Sequence, residues 1–440
     1  MGRDLVTQRR SILIAAPASN SGKTTVTLGL LRHLSKRGIR VRAAKSGPDY
    51  IDPLFHQAAC GLPSVNLDAW AMPGEVLIAA ATTGTEKFLI IEGAMGVLDG
   101  AGRQGTGSAA DLAEILGVPV ILVIDAARLG HSAILPALGL QSARPGLVLA
   151  GIIANRVASL RHQQMITAAA EAHGLTLLGC IHRNPALELP SRHLGLVPPH
   201  EHPGLEAFLD AAAQSVGSSL RIAGLLAAAA PLPAPTSGNC GIAPPGQRIA
   251  IARDQAFCFL YTHLVANWRR QGAEPVFFSP LNDEAPDAGA DAVFLPGGYP
   301  ELHAGRLAAC LRFRAGMQAL TGKGAVIYGE CGGFMVLGEG IEDSDGHHHA
   351  MTGLLNHSTS FQHPRLQLGY RSVRAAPGAP FEGSFAAHEF HYAAMASASA
   401  SPPLFHALDA DGAELRPMGA IRGNVSGSFA HLICASSRYP

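Results

Sequence analysis

The sequence predicts a two-domain α/β protein in which each domain is a mainly parallel sheet covered by helices. At 440 residues the chain exceeds what one hydrophobic core usually serves, which favours two domains of about 200 residues each. Short β-rich runs alternate with longer amphipathic stretches in two series. The first has strands at Ile12 to Ala15, Val41 to Lys45, Phe88 to Glu92, Val118 to Asp125 and Leu147 to Asn155. The second has strands at Arg248 to Ala252, Glu274 to Phe278, Ala292 to Leu295 and Ala325 to Tyr328. The runs of the first series are apolar at both odd and even positions, as expected of strands buried on both faces. Between the series, the prolines and glycines of Leu225 to Gln247 disfavour helix and strand. The expected division is a first domain over 1–225, a linker over 226–246 and a second domain over 247–440. Ligands of such sheets gather at the C-terminal ends of the strands.

Composition narrows the partners. Lysine plus arginine equals aspartate plus glutamate at 33 each, so net charge gives no reason to expect nucleic acid or an anionic membrane. The opening Met1 to Arg10 is polar, and the apolar run Ser11 to Pro17 is too short for the core of a signal peptide. No apolar stretch reaches the roughly 20 residues a bilayer requires. The seven cysteines are odd in number and lack paired metal spacing, which argues against a disulfide framework. A cytoplasmic protein is expected, with a homodimer left open.

The first domain carries a phosphate site. In Ile12-Leu-Ile-Ala-Ala-Pro-Ala-Ser-Asn-Ser-Gly-Lys-Thr-Thr25 a strand runs into a loop of small residues and then into a helix. Backbone N–H groups of such a loop surround phosphate oxygens, and the helix N-terminus adds positive potential. Ser21, Gly22, Lys23, Thr24 and Thr25 are the binding residues, with Lys23 on the β/γ-phosphates and the Thr24 hydroxyl on magnesium. Pro17 stands where a standard P-loop has its first glycine, and Asn20 tolerates the positive φ that the curve demands. Glu92, at the end of Phe-Leu-Ile-Ile-Glu, is the second candidate magnesium ligand. Asp49, Asp52, Asp99 and Asp125 also follow strands, where an aspartate either serves the nucleotide or caps a turn.

The second domain carries a nucleophile. Ala325-Val-Ile-Tyr-Gly-Glu-Cys-Gly-Gly-Phe334 sets a cysteine between small neighbours after a buried strand, the layout of a sharp strand-to-helix turn. The helix N-terminus beyond it is expected to favour the thiolate of Cys331. The loop Phe294-Leu-Pro-Gly-Gly-Tyr-Pro300 offers the N–H groups of Gly297 and Gly298 as an oxyanion hole. A base is available in His431, in Gly427-Ser-Phe-Ala-His-Leu-Ile433, which a terminal hairpin could return to the nucleophile, although spacing alone does not select it among 20 histidines. The run His347 to His349 is expected to be a solvated loop, because no carboxylate or cysteine ligands cluster near it with evident spacing.

Taken together, Ala15 to Thr25, Lys45-Ser-Gly-Pro-Asp-Tyr-Ile-Asp-Pro53, Glu92-Gly-Ala-Met-Gly-Val-Leu-Asp-Gly100, Leu295 to Leu302, Gly329-Glu-Cys-Gly-Gly-Phe-Met335, Leu368-Gly-Tyr-Arg371 and His388-Glu-Phe-His-Tyr392 resemble the cobyrinic or hydrogenobyrinic acid a,c-diamide synthases over nearly the whole chain. The resemblance implies a P-loop NTPase-like domain of the dethiobiotin-synthetase kind followed by a class I glutamine amidotransferase domain. It implies Cys331 as the residue that attacks glutamine, His431 as its base, and nucleotide, magnesium or substrate work for Asp49, Glu92 and Asp99. Because Ala430-His-Leu-Ile lacks the His-x-Glu ending of other glutaminases, it implies a dyad. Many relatives have glycine at the position of Asn20.

The implied substrates are a corrin macrocycle, ATP and glutamine, with Mg2+ as cofactor. ATP would turn an unreactive acetate into an acyl phosphate, which ammonia released at Cys331 then attacks. A cobyric acid synthase and a sirohydrochlorin a,c-diamide synthase share this chemistry on other carboxylates or another macrocycle. A partitioning-type ATPase switch accounts for the first half alone. The Ala-Pro-Ala-Ser style of the phosphate loop inclines the reading to the metal-free macrocycle.

Overall fold

The computed structural model describes residues 9–188, 191–192, 195–196, 198–398 and 401–439 and divides into two compact units, Met1–Asn239 and Cys240–Pro440. The division falls inside the segment expected to link the domains. The first residues of that segment belong to the first unit. A helix spans Ile222–Ala228, where the Leu-Leu-Ala-Ala run has high helix propensity, and Ala230–Pro231 pairs antiparallel with the first strand.

In the first unit the strands are β1 (Arg10–Ala15), β2 (Val41–Ser46), β3 (Val65–Leu67), β4 (Phe88–Glu92), β5 (Val120–Asp125), β6 (Leu149–Val157) and β7 (Leu177–His182). They lie in the order β3-β2-β4-β1-β5-β6-β7, and every neighbouring pair in that order is parallel. The expected runs all appear as strands, and β3 and β7 are additions. Leu13, Ile14, Ile91, Leu122 and Val123 are fully buried, each contributing about 1.5–3 kcal/mol of hydrophobic stabilisation. Because β1 lies between β4 and β5, the loop leaving β1 opens between them, at the reversal of strand order where α/β sheets bind ligands. From that loop helix α1 (Lys23–Lys36) runs back along the sheet.

The second unit has a six-stranded sheet in the order Glu274–Phe278, Arg248–Ala252, Ala292–Leu295, Val326–Glu330, Val425–Ser428, Ala420–Arg422. Its first five strands are parallel, and the last closes an antiparallel hairpin. A separate antiparallel sheet holds Phe405–Asp409, Gln367–Ala375, Ser384–His391 and Ala430–Ala435. His431 therefore lies on a strand registered against Ser384–His391, with His388 opposite it, and not on the terminal hairpin expected from the sequence. Among the described residues no helix is long and apolar enough to cross a membrane.

Candidate active sites

The phosphate loop is shaped by its backbone. Asn20 adopts φ 62°, the left-handed conformation anticipated for it, and Gly22 caps α1 at φ 91°. Asn155, at the end of β6, donates from Nδ2 to the Ser21 carbonyl at 2.9 Å, and Arg156 donates to the Asn20 carbonyl at 2.8 Å. The loop borders a cavity of about 680 Å³, lined among others by Lys23, Thr24, Thr25, Arg128 and Arg183, a volume that suits a nucleotide-sized ligand. Ser21 Oγ and Thr25 Oγ1 donate to the carbonyls of Ala18 and Leu187. Lys23 Nζ reaches the Met95 carbonyl at 2.6 Å, and burial followed by the charge of Lys45 lowers its pKa.

Behind the loop Thr24, Glu92 and Asp52 join a buried charge cluster with Lys45 and His56, two partners the sequence did not announce. Thr24 Oγ1 donates to Glu92 Oε1 at 2.6 Å. Lys45 Nζ reaches the same oxygen at 3.0 Å, and His56 Nε2 lies 2.8 Å from Glu92 Oε2. Lys45 also pairs with Asp52. Burial opposes charge on Glu92, but Lys45, His56 and Thr24 together hold it well below the usual carboxylate range. On Lys45 burial is likewise outweighed by Asp52, Glu92 and Asp49, which hold the ammonium charged. Burial and the charge of Asp49 push Asp52 upward. Glu92 and Asp52 thus already share one cation, the Lys45 ammonium, and the Thr24 and Glu92 oxygens are of the hard kind magnesium prefers.

The other expected acids have visible local tasks. Asp49 Oδ1 accepts from the N–H groups of Ile51 and Asp52 at 2.7 and 3.1 Å. Asp99 Oδ2 accepts from Gly96 N–H at 2.8 Å, next to the loop that Lys23 touches. Asp125 accepts from Ala127 N–H and pairs with Arg156 at 2.5 Å.

In the second unit Cys331 has φ 48° and ψ −107° and caps the short helix Gly332–Leu337. The turn closes because the two residues after it lack side chains: a Cβ on Gly333 would lie 1.9 Å from the Leu295 carbonyl oxygen. Cys331 N–H donates to Ser428 O at 2.8 Å, and its Sγ lies 3.7 Å from the Phe390 carbonyl. Burial, followed by the charge of Glu301, pushes the thiol well above its usual range. The expectation of a resting thiolate is thereby corrected, since a six-residue helix does not offset burial beside carboxylates.

His431 is brought to the nucleophile. A Cβ built on Gly297 would lie 2.5 Å from His431 Cε1, 3.2 Å from its Nε2 and 3.1 Å from Cys331 Cβ, so this glycine fills the gap between the two side chains. Gly298, at φ 159°, has its N–H beside the nucleophile turn, with the nitrogen 3.1 Å from a Cβ built on Gly332. On its far edge His431 Nδ1 lies 3.6 Å from Glu330 Oε2, a neighbour absent from the dyad expectation.

The His388-Glu-Phe-His-Tyr392 motif surrounds this centre. Glu389 pairs with Arg371 at 2.8 Å and with His391 at 3.0 Å, and His391 stacks on Phe429 at 3.8 Å. Burial, then the charge of His431, lowers His388 to about 3. Arg371 and Glu389 line a cavity of about 440 Å³ together with Arg416, Phe429 and Phe334 of the nucleophile helix. Elsewhere in the second unit, Asp343 contacts His349 at 2.8 Å and His347 at 3.5 Å. Carboxylates do therefore accompany that histidine run, contrary to the sequence reading. All seven cysteines are free.

Two family descriptions match successive parts of the chain. A CobQ/CobB/MinD/ParA nucleotide binding domain covers residues 12–197, and a CobB/CobQ-like glutamine amidotransferase domain covers residues 248–439. Three relatives matched over nearly their whole length carry the same name. The chain is 51% identical to the hydrogenobyrinate a,c-diamide synthase of Rhizobium meliloti, over 96% of this chain and 98% of the relative. It is 49% identical to that of Mesorhizobium japonicum, over 97% and 99%, and 48% identical to that of Brucella abortus, over 96% and 98%. A nucleotide-binding unit joined to an amidotransferase unit, at about half identity along both, places this chain in the hydrogenobyrinate a,c-diamide synthase family.

Proposed function

We propose that this chain transfers nitrogen from glutamine to the a- and c-acetate carboxylates of hydrogenobyrinic acid, using ATP to activate each carboxylate. The observation that carries this reading is the pair of complementary sites on one chain: Lys23, Thr24 and Glu92 around a phosphate loop, and Cys331 and His431 facing each other across Gly297. In the first unit, read as dethiobiotin-synthetase-like, Lys23 leaves the Met95 carbonyl for the ATP phosphates. Thr24 and Glu92 would hold Mg2+, which neutralises phosphate charge. Lys45 holds Glu92 ionised, and Asp49 and Asp99 border the region where acetate and γ-phosphate meet. The product there is an acyl phosphate.

In the second unit, read as a class I amidotransferase, His431 removes the Cys331 proton as sulfur attacks the glutamine amide carbon. The N–H groups at Gly297 and Gly298 stabilise the oxyanion. Collapse forms a thioester and expels ammonia, and water releases glutamate. The metal-free macrocycle is favoured by the name its relatives carry, and a cytoplasmic site of action accords with the free cysteines.

The test is to incubate the protein with hydrogenobyrinic acid, cobyrinic acid or sirohydrochlorin, together with ATP, magnesium and glutamine, and to count added amides by mass. Two amides on hydrogenobyrinic acid are expected, and turnover confined to another macrocycle refutes the assignment. Cys331→Ser should abolish glutamine-driven amidation and leave turnover with high ammonium, whereas Lys23→Ala should impair both.

A further inference from the structure

A histidine that takes a proton from a thiol must present a lone pair to sulfur and carry its own proton on the opposite nitrogen. Something has to hold that tautomer and balance the imidazolium that follows. The residues after His431 are Leu432 and Ile433 and supply no carboxylate. We propose that Glu330, the residue immediately before the nucleophile, is the positioning carboxylate that completes a Cys331–His431–Glu330 triad. The proposal rests on the glutaminase reading above.

The first argument is orientation. The Cε1–Nε2 edge of His431 is turned toward Gly297, which Cys331 Cβ also borders, and the Nδ1 corner lies 3.6 Å from Glu330 Oε2. Both side chains are almost completely buried, at 0% and 3% exposure, so water does not screen the pair. The separation lies within ion-pair range and beyond hydrogen-bond length, as is common of catalytic contacts in free enzymes, which tighten when substrate binds.

The second argument is how Glu330 is held. Its Oε1 accepts from the Tyr328 hydroxyl at 2.9 Å and from the Leu432 N–H at 3.0 Å. One oxygen is thus committed to two neutral donors while the other faces the imidazole. The second donor belongs to the residue next to His431, so one carboxylate fixes both the ring and the strand that carries it.

The third argument is chemical. A carboxylate beside a thiol disfavours the thiolate, and after burial and Glu301 the nearby Glu330 also raises Cys331. A glutamate at this position hinders the nucleophile unless it acts through the histidine. The proton passes from Sγ to His431 Nε2 as the S–C bond forms, then to the departing nitrogen as the C–N bond breaks, and Glu330 holds the ring in place through both transfers.

Glu330→Gln preserves shape and an acceptor for Tyr328 and Leu432 while removing the charge. The kcat for glutamine hydrolysis by the full chain should fall by about 10²-fold or more, with KM for glutamine within about twofold of the parent. Glu330→Asp, which restores the charge one methylene short, should recover part of that loss. Parental kcat in Glu330→Gln, or a loss confined to KM, overturns the proposal. Should Glu330→Gln lose ammonia-driven synthesis as well, the variant is misfolded, and the ¹⁵N shifts of His431 in the parent decide instead. The Nδ1–H tautomer is expected there, and an Nε2–H tautomer overturns the proposal. Retained glutamine hydrolysis in Cys331→Ser sinks the glutaminase reading itself, whereas an inactive Cys331→Ser beside a parental Glu330→Gln sinks the positioning role alone.

Discussion

Gly297→Ala introduces a single methyl group between the nucleophile and its base. Carbon atoms pack best at about 3.5–4.0 Å, and the new Cβ would stand 2.5 Å from His431 Cε1 and 3.1 Å from Cys331 Cβ. Relief requires a movement of about 1 Å at the histidine. Cys331 does not retreat easily, because its N–H is tied to Ser428 O, and His431 is fixed by the register of its strand against Ser384–His391. The imidazole and the thiol must therefore separate. A misplacement of about 1 Å at a reacting pair costs on the order of 10²-fold in rate, equivalent to about 2.7 kcal/mol of barrier, and overpacking should cost a further 1–3 kcal/mol or so of stability. Steady-state glutamate release measures the first and urea unfolding the second. Gly305→Ala is a matched control, since its methyl group would meet its nearest neighbour, His349, at 3.5 Å and should leave the rate unchanged. A Gly297→Ala enzyme hydrolysing glutamine at more than half the parental rate would refute the geometry.

Two further outcomes test the electrostatics. Lys45→Met leaves the acids around it in a buried site without their ammonium, and losing one partner of a buried ion pair should cost about 3–5 kcal/mol. Urea denaturation of the full chain reads this, magnesium should recover part of the loss, and an unchanged midpoint counts against the cluster. His357 is buried against Phe334, with Nε2 3.1 Å from the Phe334 carbonyl, and burial lowers its pKa from 6.5 to about 4. A folded-state pKa below the unfolded value means that its contribution is fully present above about pH 6.5 and is lost as the pH falls toward 4, by up to about 3 kcal/mol. Unfolding curves at pH 7 and 4.5 should show a smaller pH effect in His357→Gln than in the parent, and equal slopes would refute the assignment.

The sequence revealed what is local and concealed what depends on pairing. Buried parallel strands such as Val120–Asp125 are legible because they are apolar throughout. The strand Val65–Leu67 has three residues, and Gln367–Ala375 mixes Tyr, Arg and Ser into its run, so neither carries a periodic signal. Lys23 and Thr24 are legible from the chemistry of one loop. Lys45 is not, because its role arises when β2 pairs with β4 and sets Lys45 opposite Glu92. His431 is legible only through resemblance, because the register that sets it opposite His388 involves strands some forty residues apart. Glu330 stood in plain view beside Cys331, but only the folded chain shows that it faces the far side of the histidine.

The backbone at Cys331 is held at φ 48° and ψ −107°, a region that costs a residue with a side chain on the order of 1–3 kcal/mol and a glycine much less. The most reactive atom of the second unit is thus carried at a point where the fold would be steadier without it. Improvement of this chain by selection for heat resistance alone should drift toward glycine at position 331, yielding a sturdier protein that no longer draws nitrogen from glutamine. Thermal screens of this family therefore need an activity gate, because melting temperature by itself rewards loss of the nucleophile.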